Sequence, residues 1–463
     1  MSLVGYLLLA FWMPLAPWVN HLPQADIRTF TPSLWSSLWY ALWLCGLFAL
    51  YWLAFKAVRW GKRPFSLTAI LLTTSLFAIM LWLTYPFNAT DLYRYVIRGR
   101  IQSTYGESPF ATPPNQFPDD PLADYAGEWA DAASPYGPIW ELSAGLLTRL
   151  SDENLLAGLL LFKGFAVITF LINTVLIWLL LTPQQTAVRV AYTLLWAWNP
   201  ALLLIFIADG HNDGFMIMWL LLGLFISRRG HATAGFLVML LAPLTKPIGI
   251  LALPFFFLAT LRSMPNWWAR GKFTLTISLG ALTLLLISFL PFGSPLDLLA
   301  RLAREITAVP GFSVAVMLSF IASLFGQPVT QTLLSTIGLP LTITAVIMGI
   351  WLLWRTWQGR VPERRAADIF GLYIWQALSF RIWYAAWPFP WLLLDTPNGD
   401  SRLTYRLRVG LWFLLTSQLS VLIYGHLRIY ALNGSQAAAH LIGVPFTFGL
   451  PFFLAKYLPA PTK

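Results

Sequence analysis

The chain has 463 residues, 58% of them hydrophobic and only 11% charged, where a soluble domain carries about 25% charge. This excludes a water-soluble enzyme and gives an all-α polytopic membrane protein, because lipid offers the backbone no hydrogen-bond partner and apolar runs of about 18 residues or more have to be helical. A single cysteine, Cys45, excludes a disulfide within the chain, and the formal charge of +11 is read as basic cytoplasmic loops rather than as affinity for nucleic acid.

Residues 2–19 lack a basic leader and a small-residue cleavage site, so a first span is expected rather than a removed signal. A second span, 34–55, runs into Lys56, Arg59, Lys62 and Arg63, a basic loop assigned to the cytoplasm. A third, 65–86, delivers 87–141 to the outer face. That loop holds eight of the nineteen acids against three arginines. Spans at 155–181, 190–207 and 214–227 follow, the last ending at Arg228 and Arg229. Residues 232–245 and 248–261 form a short hairpin with Lys246 at its tip. Next come 272–292, 332–354, a hairpin of 368–382 and 383–395, then 409–425 and 441–457. The run 312–326 is expected to be peripheral or re-entrant, since a crossing there breaks the charge alternation. The bundle is expected to have roughly 13–15 transmembrane helices, with both termini inside and a large outer loop carrying short helices.

Four polar clusters fall on the outer face. In "FNATDLYRYVIRGR", Asn88 or Thr90 is placed to cap a helix starting near Asp91. Arg94 and Tyr95 share the face of Asp91, and Arg98 lies one turn on. "ADGHND" supplies Asp209, His211, Asn212 and Asp213. Lys246 is the third cluster, and Arg381, Trp383 and Tyr384 in "RIWY" are the fourth. Each also has a plainer account. Asp91 suits a helix N-terminus on dipole grounds, and Gly, Asn and Asp favour turns. Lysines snorkel, and an aromatic belt with one arginine anchors a span at the interface. Arg301 and Arg304 beside Glu305 fit a solvated amphipathic helix. Ionisable groups near lipid are costly, however, and four such clusters on one face suggest a single site.

The segments "DLYRYVIRGRI", "SPYGPIW", "NPALLLIFIADGHNDGFM", "LTKPIGILALP" and "RIWYAAW" together resemble the actinobacterial-type α-(1→6)-mannopyranosyltransferases of the GT-C superfamily. The resemblance implies a GT-C-like bundle forming one transmembrane domain over 1–463. In it, 1–64 supply extra spans, 65–292 the catalytic module and 293–463 variable helices. It implies a polyprenyl-phosphate sugar donor, a glycan or glycolipid acceptor, and Asp91 as the base. His211, Asn212 and Asp213 line the same cavity, and Lys246 matches a donor-phosphate ligand. Tyr136 and Trp140 lie in the "YGP" loop and, with Tyr95, are expected at the substrate. The opening motif has one acid rather than a pair, which weakens a metal role; no cofactor is required, and a divalent metal is not indicated.

The residues agree with that chemistry. Inverting glycosyl transfer needs a base for the acceptor hydroxyl, worth about 10²–10⁴-fold, and Arg94 and Arg98 favour the charged form of Asp91. A lipid-phosphate leaving group needs positive charge, which Lys246 and some of Arg94, Arg98, Arg301, Arg304 and Arg381 supply. Trp140, Trp383, Tyr384 and Trp387 suit sugar faces or the lipid interface equally. Mannose as the sugar comes from the resemblance alone. The rivals are a flippase or transporter for a polyprenyl-linked sugar, a polymerase or ligase with a diphosphate-linked donor, and an accessory membrane subunit. Transporters favour midplane charge and repeats; here mid-span charge is sparse (Lys163) and no repeat is visible.

Overall fold

The computed structural model describes residues 1–60, 65–182, 184–305, 311–395 and 403–457. Lys62 and Arg63 of the expected basic loop lie outside them. The described residues are helical apart from turns, loops and an isolated bridge between Pro14 and Thr84. The bonds flanking that bridge, Leu15 N–H to the Leu83 carbonyl at 2.9 Å and Tyr85 N–H to that of Met13 at 2.8 Å, staple a break in the first expected span. That span is two helices, Ser2–Trp12 and Leu15–Trp18, parted at Met13 and Pro14.

Among the described residues, six helices are long and apolar enough to cross a bilayer: Leu34–Trp60, Leu155–Leu180, Trp267–Phe289, Gln331–Trp357, Tyr405–Tyr430 and Gln436–Leu454. The pair Thr186–Ala197 and Pro200–Ala208, bent by 45°, makes a seventh if counted as one. The bend has a local cause. Pro200 has no N–H to donate, and Asn199 caps the second segment by accepting from Ala201 and Leu202. The rest of the expected total of about fourteen corresponds largely to shorter helices, including Leu67–Trp82, Ala232–Thr245 and Pro247–Ser263. The 312–326 run holds a ten-residue helix, Val314–Ser323, about 15 Å long and too short to span. The expected crossing at 383–395 is corrected. It is a tight turn, Ile382–Ala386, then a six-residue helix, Phe389–Leu394, because Pro388 and Pro390 cannot carry a continuous hydrogen-bond ladder.

The core lies around the second half of the bent pair and the helix after it, where every residue over 199–218 is buried. By contrast only 6% of the central stretch of Gln331–Trp357 is buried, so that helix sits at the periphery. The polar turn 209–212 therefore emerges from the best-packed part of the bundle. Beside it stands the helix Asp91–Ser103, packed on Pro138–Ser151.

Two glycines set the approach of these parts. Gly210 has φ +68°, and a Cβ there would collide with Leu92 Cδ1. Gly137 donates its N–H to the Thr245 carbonyl at 3.0 Å, and a Cβ there would collide with the Leu244 carbonyl. Backbone cannot yield as a side chain can, so Gly137→Ala is expected to destabilise the purified protein by about 1–3 kcal/mol. Thermal unfolding in detergent measures this; an unchanged transition temperature contradicts the close packing of turn on hairpin.

Candidate active site

The three arginines of Asp91–Ser103 do three different things. Arg94, one turn after Asp91, pairs with its Oδ1 at 2.6 Å and lies over the Trp129 ring at 4.4 Å. Arg98 turns away and donates to the Ala132 and Ala133 carbonyls at 3.0 and 3.4 Å. Arg100 holds the loop together, bonding Asp120 at 2.9 Å and the Asp152 carbonyl at 2.8 Å. Thr90 occupies the cap position, yet its side chain caps nothing. Asn88 does not cap the helix either. It grips Asp209 twice, backbone N–H to Oδ1 and Nδ2 to Oδ2, each at 3.1 Å.

Tyr136 joins the loop to Asp91 by donating its hydroxyl to Oδ1 at 2.8 Å. Its ring lies 6.0 Å from the Arg98 guanidinium and 5.6 Å from Lys246 Nζ. The Tyr136 N–H donates to Ser134 Oγ, and that hydroxyl donates to Glu141. Burial lifts the Glu141 carboxyl to about 7, against the Ser134 bond and the charge of Arg98. Burial also pushes the Asp91 carboxyl up. The charge of Arg94, the Tyr136 bond and the charge of Lys246 offset that, and its pKa lies well below the usual carboxylate range. His211 is itself driven to about 4, chiefly by burial. It is neutral at pH 7, which leaves Arg94, Tyr136 and Lys246 to hold Asp91 ionised.

The turn and the hairpin meet at Asp213, the first residue of Asp213–Arg228. Its side chain has no exposed surface. Lys246 Nζ lies 2.8 Å from both its oxygens and 3.3 Å from Asn212 Oδ1. The Trp387 indole N–H donates to Oδ1 at 2.5 Å. The "RIWY" turn closes this side: Trp383 stacks on His211 at 4.0 Å and Tyr384 on Trp387 at 4.1 Å. Tyr95 packs against Tyr136 and Trp140 at 5.4 and 4.7 Å. His211 (both ring nitrogens), Asn212 Nδ2, Trp140 Nε1 and Tyr95 Oη are buried without a hydrogen-bond partner among the described residues. A narrow pocket reaches three of these side chains, Trp140, His211 and Asn212, and Phe162, Phe165 and Phe215 form its apolar wall. No three His, Cys, Asp or Glu side chains among the described residues gather as metal ligands.

The four sequence clusters thus converge, through Tyr136, Lys246 and the 209–213 turn. The expected phosphate ligands differ in how free they are. Arg98 is 2% exposed and committed to loop carbonyls. Arg381 is exposed, and its side chain makes no ion pair or hydrogen bond among the described residues. Arg301 reaches the loop instead of solvent, donating Nε to the Ala133 carbonyl at 2.9 Å. The grip of Asn88 on Asp209 and the Trp387–Asp213 bond carry no signal in sequence, because each joins residues far apart along the chain. Lys163, in the middle of a span, donates to the Thr84 carbonyl and, at 2.7 Å, to that of Ala208.

A family model described as the N-terminal domain of alpha-(1->6)-mannopyranosyltransferase matches residues 3–262, more than half of the chain. The chain is 26% identical over 387 residues to alpha-(1->6)-mannopyranosyltransferase A of Mycobacterium tuberculosis, covering 77% of this chain and 70% of that protein. It is 23% identical over 172 residues to the A enzyme of Corynebacterium glutamicum, covering 37% of this chain and 34% of that one. To the B enzyme of the same organism it is 28% identical over 180 residues, 37% of this chain and 29% of that one. The chain belongs to the alpha-(1->6)-mannopyranosyltransferase family.

Proposed function

We propose that this chain is a GT-C-type membrane mannosyltransferase. It moves a mannosyl unit from a polyprenyl-phosphate donor to a glycan or glycolipid acceptor at the extracytoplasmic face, with inversion at the anomeric carbon. Family membership supports the sugar and the reaction class. The observation that carries the mechanism is the asymmetry of the Asp91 carboxylate. Arg94 and Tyr136 both occupy Oδ1, while Oδ2 accepts no hydrogen bond among the described residues.

The acceptor hydroxyl binds Oδ2 and attacks C1 opposite the phosphate. Its proton passes to Oδ2 as the new C–O bond forms. The bond from C1 to the phosphate oxygen breaks, and its electron pair leaves on the phosphate. A carboxylate held so far down is a weak base, and general-base efficiency is best near the working pH. Asp91 therefore acts mainly by orienting the hydroxyl and taking the proton late, once the attacking oxygen has become acidic.

Charge developing on the phosphate calls for preorganised cations. Lys246 is set by Asp213, and its longer contact to Asn212 is the one a phosphate oxygen replaces. Arg381, uncommitted, is the second cation. This pair needs no divalent metal. The unpartnered His211, Asn212, Trp140 and Tyr95 groups suit a ring rich in hydroxyls, because a buried polar atom without a partner costs about 1–3 kcal/mol.

Asp91→Asn in isolated membranes is expected to lower transfer from radiolabelled polyprenyl-phosphate mannose by at least about 10²-fold, with expression retained. Near-normal turnover removes Asp91 as the base, and label crossing the bilayer without transfer favours a flippase. Arg94→Met is expected to raise the Asp91 pKa and move the acid limb of the kcat profile to higher pH by about 1–3 pH units; a limb that stays put separates Arg94 from that ionisation. The sidedness has its own check, in a Cys45→Ala background. An impermeant maleimide is expected to label Glu107→Cys on intact cells and Arg360→Cys only after lysis; the reverse pattern inverts the topology.

A further inference from the structure

The geometry points to Asp209 as a positioning residue that sets Asp91 through Asn88. This rests on the reading of Asp91 as the base. Asp209 is fully buried at the end of the bent pair. Its two oxygens are taken by one residue, the backbone and side-chain N–H groups of Asn88, three positions before Asp91. The latch thereby fixes the path of 88–90, the segment that decides where the first helical residue points. The cap residue itself, Thr90, offers that helix start no side-chain bond, so the restraint comes from Asp209, across the fold.

The other end of the latch is also secured. A turn of π-helix, Leu204–Ala208, precedes Asp209, and the Asp209 N–H returns to the Leu204 carbonyl at 2.9 Å. Lys163 bonds the carbonyls of Thr84 and Ala208, which lie just upstream of Asn88 and Asp209 respectively. It ties together the two stretches of chain that feed the latch. Burial lifts the Asp209 carboxyl to about 7, while the two Asn88 bonds and the charge of Lys163 favour its ionised form. Asp209 also fixes the turn that continues into His211, Asn212 and Asp213. One buried carboxyl group thus sets the distance between the base and the Lys246 pocket. Asp209 makes no contact with a reacting atom in this arrangement; it acts through Asn88.

Because the partners are an amide and a carboxylate, they can be exchanged. In N88D/D209N the backbone N–H at 88 still has an acceptor at 209, and the amide at 209 donates back to the carboxylate at 88. Asp209→Asn and Asn88→Asp alone are each expected to lower kcat by about ten-fold or more, since a misplacement near 1 Å costs about 10², with donor KM within about two-fold. The exchanged pair is expected to recover most of the lost kcat. Asn88→Ala, which keeps the backbone bond to Oδ1, serves if either single variant folds poorly, and is expected to show a smaller fall in kcat with unchanged KM. A kcat near wild type in Asp209→Asn or Asn88→Ala overturns the proposal. So does a folded exchanged pair as impaired as the worse single variant, which would make Asp209 a group that touches substrate. Asp91→Asn assayed alongside keeps the two readings apart: activity in it dismisses the base while leaving the exchange result legible.

Discussion

Asp213 is a carboxylate with no exposed surface, and the bundle tolerates it because Lys246 and Trp387 meet its oxygens. Taking a charge out of water costs several kcal/mol unless a partner of good geometry answers it. That requirement pulls together a turn, a hairpin tip and a C-terminal segment that sequence keeps far apart. With the ion pair made, Lys246 lies 5.6 Å from the Tyr136 ring, and the Tyr136 hydroxyl reaches Asp91. Remove the pair and the chain of contacts from one loop to the next loses its middle.

Positive charge is distributed around Tyr136 with little direct contact to it. Arg98 and Lys246 flank the ring and Arg94 sits on the carboxylate it serves. The phenol remains a donor in this setting, and Asp91 remains an acceptor. The acid set among arginines is thus explained by division of labour. One arginine neutralises it, a second fixes the loop that brings Tyr136, and a third ties that loop to itself through Asp120.

Much of this is legible in sequence where the physics is local. Apolar length marks the long helices, and the i, i+3 spacing predicts the Arg94–Asp91 pair. The charge alternation assigns Asp91, the 209–213 turn, Lys246 and "RIWY" to one face, and side-chain contacts join these segments. What escapes is set by tertiary contact. Asn88 reads as a cap, an acceptor for helix N–H groups, but instead donates to Asp209. Trp387 reads as an aromatic for a sugar face or the lipid interface, and its N–H also donates to the buried Asp213. Arg301 reads as a wet charge on an amphipathic helix and is instead drawn to a loop carbonyl. Prolines at 388 and 390 cut a run that hydropathy alone makes continuous.

The Ala133 carbonyl accepts from two arginines, Arg98 within the region matched by the family model and Arg301 well beyond it. Trp383 and Trp387 also reach back from the far half to His211 and Asp213. A fragment ending near residue 262 would retain Asp91, Arg94, His211, Asp213 and Lys246 and still leave Asp213 short of a donor and His211 without its stacking partner. The two halves of the polypeptide therefore cannot drift independently: each restrains substitution in the other at these few points of contact.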